Sequence, residues 1–394
     1  MKITAIKMLT LELPEEGSPG HLPQLSEVPN LRRIQYRGGR DPHRRPIKTP
    51  PSKPQERFLE VETDEGITGR VTSSTLDMSH VGIIRSMALG ENPLHRERFY
   101  QMFQKGTRWV AVLNSTRQPG WFGDFDNCLW DIAGKAAGLP VHTLIGKVRD
   151  SFPCYVTGGD MDVEGYLDSI EKSKQFGINA YKFHTYKGGK ADIPIFHKVR
   201  ETVGPDYELL NDPVCSYDLR EAIEVGHVME ELGFIWLEEP FHEYKLHHYQ
   251  ELCRELDIPV MANETLMNDI GISTQWLLQG GTDLLRANAR HGTTQVLKMA
   301  HFAELYDTNI EMNAMGGLYG HIHATLGCCI DNTGFYEYNG GAEGGASGLR
   351  KAGEPWGMVN APLIANGRLA PSDLPGWGAE WDEKRFQSLI VSED

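Results

Sequence analysis

Three short runs decide the fold: Glu208-Leu209-Leu210-Asn211-Asp212, Phe234-Ile235-Trp236-Leu237-Glu238 and Val260-Met261-Ala262-Asn263-Glu264. Each is largely apolar, and each closes on a carboxylate. Asp212, Glu238 and Glu264 follow one another at equal intervals of 26 residues. Such an interval holds one strand, one helix and their connections, so the three acids end three successive βα units. Runs of the same texture lie on either side: Cys154-Tyr155-Val156, Ala180-Tyr181-Lys182-Phe183-His184, Asp283-Leu284-Leu285-Arg286-Ala287-Asn288, Asn309-Ile310-Glu311-Met312-Asn313 and Phe335-Tyr336-Glu337-Tyr338. The eight strand candidates recur at about 24–28 residues, and the stretches 163–176, 219–232 and 294–306 between them carry apolar residues at helical spacing. Eight βα units suit a closed α/β barrel better than an open doubly wound sheet. No GxGxxG follows a first strand and no GxxxxGK[ST] is present, so dinucleotide and P-loop readings lack support.

In such a barrel the reactive residues come from the C-terminal strand ends, so the three carboxylates stand side by side at one mouth. Three hard oxygen ligands without His or Cys suit Mg²⁺, with Mn²⁺ as substitute. One run earlier, Lys182 and His184 are two residues apart and share a strand face, which turns both into the mouth. A cation beside an imidazole disfavours imidazolium, so a neutral His184 able to accept a proton is expected.

The chain has 394 residues, against roughly 100–200 per domain. With 40% hydrophobic and 24% charged residues it is ordinary for a globular protein, which excludes disordered and collagen-like classes. A net charge of −15 argues against a nucleic-acid or anionic-membrane binder. Six cysteines without a CxxC pair argue against a disulfide framework and a structural zinc site. No run approaches the ~20 apolar residues of a membrane span, and the lysine-interrupted start reads as a strand over 3–13 rather than a signal peptide. A cytoplasmic location is the expectation. The stretch 14–54 differs from the rest, with nine prolines and seven basic residues between Arg32 and Lys48. It reads as a solvated or oligomer-contacting loop, or as a lid whose arginines meet an anionic substrate. After it, Phe58-Leu59-Glu60-Val61-Glu62-Thr63 alternates as a strand and Asp64-Glu65-Gly66 forms a turn.

Several segments together carry a family likeness: Thr63-Asp64-Glu65-Gly66-Ile67-Thr68-Gly69, Leu129-Trp130-Asp131-Ile132-Ala133-Gly134-Lys135, Gly138-Leu139-Pro140 and Trp236-Leu237-Glu238-Glu239-Pro240. With the Lys-x-His pair and the carboxylate trio, the chain resembles the enolase superfamily, and within it the mandelate racemase and muconate lactonizing enzyme group. The resemblance implies a modified (β/α)7β TIM barrel with an α+β capping domain built from both termini. It implies a capping domain over 1–128, a barrel over 129–355 and a segment over 356–394 returning to the cap, with Mg²⁺ on Asp212, Glu238 and Glu264. It also implies abstraction of the proton α to a carboxylate, giving a metal-stabilised enediolate. His184 then takes the base role, Lys182 an auxiliary one, and Glu337 a contact to the substrate carboxylate.

The departures choose among reactions. The group pairs an Asp after the sixth strand with a His after the seventh. Here the sixth strand offers Ala287 or Asn288 and the seventh Asn313 or Ala314, so the dyad is missing. Racemisation by two opposed bases is disfavoured, whereas a syn dehydration needs only His184. His321 is the expected separate acid, with His323 and His291 behind it, and Arg290, His291 and Asn313 are expected substrate contacts. Val214 stands where some sugar-acid dehydratases have a His. The expected activity is Mg²⁺-dependent dehydration of a sugar acid to a 2-keto-3-deoxy acid by a hydro-lyase, and the family resemblance implies assembly as a dimer or octamer. The alternatives are a racemase or epimerase using His184 with His291 or His321, and a non-catalytic descendant of the fold.

Overall fold

A computed structural model describes residues 1–14, 53–73, 76, 78–113, 120–185, 187–313, 316–338, 353–362 and 364–394, with the backbone alone for 107–113. The basic, proline-rich stretch 14–54 therefore falls almost entirely outside the described residues.

The chain begins with three antiparallel strands, β1 (Ile3–Glu12), β2 (Gln55–Thr63) and β3 (Thr68–Thr72), the last two joined by a turn in which Gly66 takes φ +75°. Ile3, Ile6, Met8, Leu59, Val61 and Val71 turn one face of this sheet into a core, as period-two alternation requires. Against it pack α1 (Met78–Ala88), α2 (Arg96–Leu113), α3 (Gly123–Ala137) and the short α4 (Val141–Ile145). Helix α3 is buried from Gly123 to Gly134 because it lies between the sheet and the barrel. Gly69 allows that approach: a Cβ there would stand 2.3 Å from the Cys128 carbonyl oxygen.

Seven βα units and a final strand follow. They are β4 (Phe152–Thr157), α5 (Val163–Lys174), β5 (Ala180–His184), α6 (Gly189–Val203), β6 (Glu208–Asp212), α7 (Leu219–Glu231), β7 (Leu237–Glu238) and α8 (Leu246–Glu255), then β8 (Val260–Ala262), α9 (Ile270–Leu278), β9 (Leu284–Ala287), α10 (Thr293–Glu304), β10 (Ile310–Met312), α11 (Gly317–Cys329) and β11 (Tyr336–Tyr338). All eight strands pair in parallel, and β11 returns to β4 with Tyr336 opposite Cys154, which closes the barrel. Aspartates start several of its helices: Asp162 accepts from the Gly165 amide, Asp218 from that of Glu221 and Asp269 from those of Gly271 and Ile272.

The chain then forms a hairpin, β12 (Ile364–Ala365) and β13 (Arg368–Leu369), that adds to the outside of β4. Helix α12 (Glu383–Ser388) and β14 (Ile390–Glu393) come last. Strand β14 pairs with β1, with Leu9 opposite Glu393 and Leu11 opposite Ile390, so the chain end completes the N-terminal sheet. Phe58, Trp356, Phe386 and Leu389 pack beneath that junction. The architecture is the expected modified (β/α)7β barrel with an α+β cap from both ends. No helix among the described residues is long and apolar enough to cross a membrane.

Candidate active site

Inside the barrel, strand alternation builds layers. Tyr155, Ala180, Leu210, Trp236 and Met261 form an apolar floor, with Leu284 and Phe335 packed against it. Two residues further along the same strands come Thr157, Lys182, Asp212, Glu238, Arg286 and Glu337. A charged layer therefore lies directly on an apolar one. On β8 the alternation breaks: Asn263 takes φ +78°, and Glu264 is turned toward the neighbouring strands. Backbone at the other two acidic strand ends is also left-handed, at Val214 (φ 46°), Cys215 (φ 59°) and Glu239 (φ 24°). A β-branched residue such as Val214 rarely adopts that conformation.

The layer is a connected ion network. Lys182, 1% exposed in its side chain, places Nζ 2.8 Å from Glu238 Oε2, 2.8 Å from Glu337 Oε1 and 3.4 Å from Asp212 Oδ2. Arg286, equally buried, directs Nε to Glu264 Oε2 at 3.0 Å and Nη2 to Glu238 Oε1 at 2.8 Å and to Glu337 Oε2. Burial opposes charge on Lys182, but Glu238 and Glu337 hold its ammonium well above its ordinary range. Burial likewise opposes charge on Glu337, and Lys182 and Arg286 overcome it, keeping that carboxyl ionised. Glu238 is pushed up to about 7, because burial and the charges of Asp212 and Glu337 outweigh Arg286 and Lys182.

His184 sits above Lys182. Its Nε2 lies 3.1 Å from Asp212 Oδ2 and its Nδ1 lies 3.1 Å from Thr157 Oγ1. The electrostatics differ from the sequence expectation. Burial and Lys182 do favour a neutral ring, yet Asp212 prevails and raises the imidazole above its usual value. The Lys182 ammonium faces the carboxylates, so Asp212 becomes the nearer influence.

The other expected residues separate into two groups. Asn313 is in the network: its Nδ2 donates to Glu264 Oε1 and Oε2 at 2.9 and 3.0 Å, and its Oδ1 accepts from Asn288 and from Arg290 Nη2 at 3.2 and 3.3 Å. Glu337, expected from sequence to contact the substrate carboxylate, lies in the charged layer, 3% exposed, with Oε1 engaged by Lys182 and Oε2 by Arg286. His321 and His291 stand apart, with no hydrogen bond or ion pair to the carboxylates among the described residues. The buried His321 ring lies by the Asn360 backbone, and burial lowers it to about 4. Burial and then Arg290 lower His291 to about 4 as well. His323 is nearer the charged layer, but its Nε2 accepts from the Ala289 amide at 3.2 Å. Burial, then Arg290 and Arg286, lower it to about 3.

Sequence reasoning missed Arg286, Thr157 and the cap residues that hold the β9–α10 loop. Asn127 donates to the Ala289 carbonyl at 2.8 Å and accepts from the Thr293 amide and hydroxyl. Asp126 accepts from the Thr294 amide and hydroxyl at 2.8 and 2.6 Å. The signal for Arg286 was present, since a cation inside an apolar barrel strand needs buried acids around it.

The donor chemistry fits a hard divalent ion: Asp212, Glu238 and Glu264 offer carboxylate oxygens only, on three adjacent strands. With Glu337 they bring four carboxylates, three of them buried, to the two cations Lys182 and Arg286. As the side chains stand, Lys182 and Arg286 lie between the acids, and no three acidic, His or Cys groups among the described residues enclose a common point.

An eight-stranded barrel with acids at its third, fourth and fifth strand ends defines an architectural class. Within it, residues 166–385 match the model of the Enolase C-terminal domain-like family, and the chain belongs to that family. It is 27% identical to L-talarate/galactarate dehydratase of Salmonella typhimurium over 253 residues, 62% of this chain and 63% of that relative. It is 26% identical to D-galactarolactone cycloisomerase of Agrobacterium fabrum over 277 residues, 66% of this chain and 71% of that one. Among solved structures, D-glucarate dehydratase from Agrobacterium tumefaciens complexed with magnesium superposes with a TM-score of 0.79 over all of both chains at 22% identity, a likeness of fold.

Proposed function

We propose that this chain is a Mg²⁺-dependent hydro-lyase that dehydrates a sugar acid or related polyhydroxy carboxylate to a 2-keto-3-deoxy acid. The observation that carries the reading is the contact of His184 Nε2 with Asp212 inside a buried network that also holds Glu238 and Glu264. Relatives named as sugar-acid dehydratases support the reaction class, and the magnesium complex of one supports the metal.

In this reading Asp212, Glu238 and Glu264 hold the ion, and Mn²⁺ can replace it. When bound, Mg²⁺ supplies the positive charge that stabilises the dianion developing as a carboxylate loses its α-proton. The chain's own groups do the rest. With Nδ1–H donated to Thr157, the His184 lone pair lies on Nε2, which takes the α-proton. Asp212 Oδ2, 3.1 Å from that nitrogen, stabilises by its charge the imidazolium that forms. The same imidazolium then gives the proton to the departing β-hydroxyl, a syn elimination that needs no second acid. Lys182 keeps positive charge under the reacting centre, and Glu337 fixes Lys182 and Arg286 in place. Arg290 and Asn313, joined to each other beside Glu264, are the substrate contacts the geometry favours. The proposed division keeps a cap over 1–128, a barrel over 129–355 and a returning segment over 356–394, with its first boundary falling inside α3 and the hairpin of β12 and β13 within the returning segment pairing with β4 of the barrel.

A library of aldonic and aldaric acids, incubated with protein and Mg²⁺ and assayed for 2-keto acid, tests the reading. Keto-acid formation from a subset of stereoisomers is expected. No product from any member by protein shown to bind the ion would contradict it. Exchange of solvent deuterium at the α-carbon without keto acid would instead indicate an epimerase.

A further inference from the structure

We propose that Arg286 is an internal counter-ion that competes with the divalent ion for Glu238 and Glu264. The inference rests on the metal reading above. One guanidinium on β9 reaches acids from two other strand ends: Nε lies 3.0 Å from Glu264 Oε2, and Nη2 lies 2.8 Å from Glu238 Oε1. These two residues are also meant to share the ion with Asp212. A carboxylate oxygen that faces a guanidinium this closely cannot also offer that lone pair to a metal.

The contacts are unequal in kind. The Nε contact to Glu264 and the Nη2 contact to Glu337 are hydrogen bonds. The Glu238 contact is a charge contact only: Glu238 Oε1 and Arg286 Nη1 are both buried without a hydrogen-bond partner among the described residues. The guanidinium thus keeps a donor, Nη1, and Glu238 an acceptor, Oε1, that no hydrogen bond uses among the described residues. Releasing Glu238 from Arg286 forfeits Coulomb attraction but no hydrogen bond, and a divalent charge replaces that attraction with a stronger one. Glu337 keeps the guanidinium buried and paired through the exchange. Arg286 therefore stabilises the carboxylates when metal is scarce and weakens the site's affinity for metal. A lysine at this position offers one point charge on a shorter reach instead of a rigid planar fork, so it cannot hold Glu264 through one nitrogen while a second nitrogen meets Glu238.

The test uses the full chain stripped with chelator, its wild type beside R286K and R286M. Mn²⁺ binding is followed by electron paramagnetic resonance of the free ion, and melting is recorded with and without millimolar Mg²⁺. R286K is expected to melt below wild type without metal, to bind Mn²⁺ about ten-fold more tightly, and to gain more in Tm from Mg²⁺. R286M, if folded by circular dichroism, should shift in the same direction; if it does not fold, R286K decides. Equal or weaker Mn²⁺ binding by R286K than by wild type overturns the competition while leaving the metal reading in place. Absence of Mn²⁺ binding in wild type and variants alike overturns the metal reading and this inference with it.

Discussion

At the scale of single residues, His184 depends on two neighbours, one for each ring nitrogen. Thr157 fixes Nδ1 and Asp212 faces Nε2. Replacing His184 by Asn removes the only imidazole in contact with the three carboxylates among the described residues, so kcat for keto-acid formation should fall at least about 10³-fold with Mn²⁺ binding retained. By contrast, His321→Asn should leave kcat within a few-fold of wild type, because that ring lies by the Asn360 backbone rather than in the network. A large kcat loss in H321N would restore His321 as the separate acid expected from sequence. The Lys-x-His pair was legible because period-two spacing sends both side chains one way. The charge on His184 was not, because it depends on where the Lys182 ammonium points. Spacing along a strand says nothing of that direction.

At the scale of elements, helix α3 fixes the loop that presents Arg290. Asn127 satisfies the Ala289 carbonyl and the Thr293 amide, and Gly123 leaves room for the loop, since a Cβ there would stand 2.1 Å from the Arg290 carbonyl oxygen. Asn127→Ala strands these buried groups and should cost about 1–3 kcal/mol in urea unfolding, with KM rising more than kcat falls. Asp126 offers a pH test. Burial raises its carboxyl to about 6 from the usual 3.8, against two hydrogen bonds from Thr294. Between about pH 4 and 6 the folded chain holds a proton that the unfolded chain has released. Stability from this group therefore falls as pH rises through that window and is level above it. Asp126→Asn keeps an acceptor for the Thr294 amide and does not titrate. It should flatten this slope and gain on wild type by about 1–3 kcal/mol at pH 7. An unchanged slope would place the proton elsewhere. None of this coupling was readable beforehand, because the contacts join residues more than 160 positions apart.

At the scale of the whole molecule, the two chain ends share one sheet. Removing β14 leaves β1 with an unpaired edge and uncovers the packing around Leu9, Leu11 and Phe386. Deleting residues 390–394 should lower Tm and increase self-association in size-exclusion chromatography, as an exposed edge strand does. The barrel was legible because its period repeats eight times and each βα unit is specified locally. The return of β14 to β1 was legible only through family resemblance, since antiparallel pairing across the full chain length leaves no local pattern.

The account stands on Asp212, Glu238 and Glu264 gathering one divalent ion. Its most direct test is a crystal grown with Mn²⁺ and measured for anomalous scattering. One strong peak is expected, with an oxygen of each of the three carboxylates at about 2.0–2.6 Å and Arg286 withdrawn from Glu238. A map with no peak among those side chains, or with the ion held by other residues, would contradict the account.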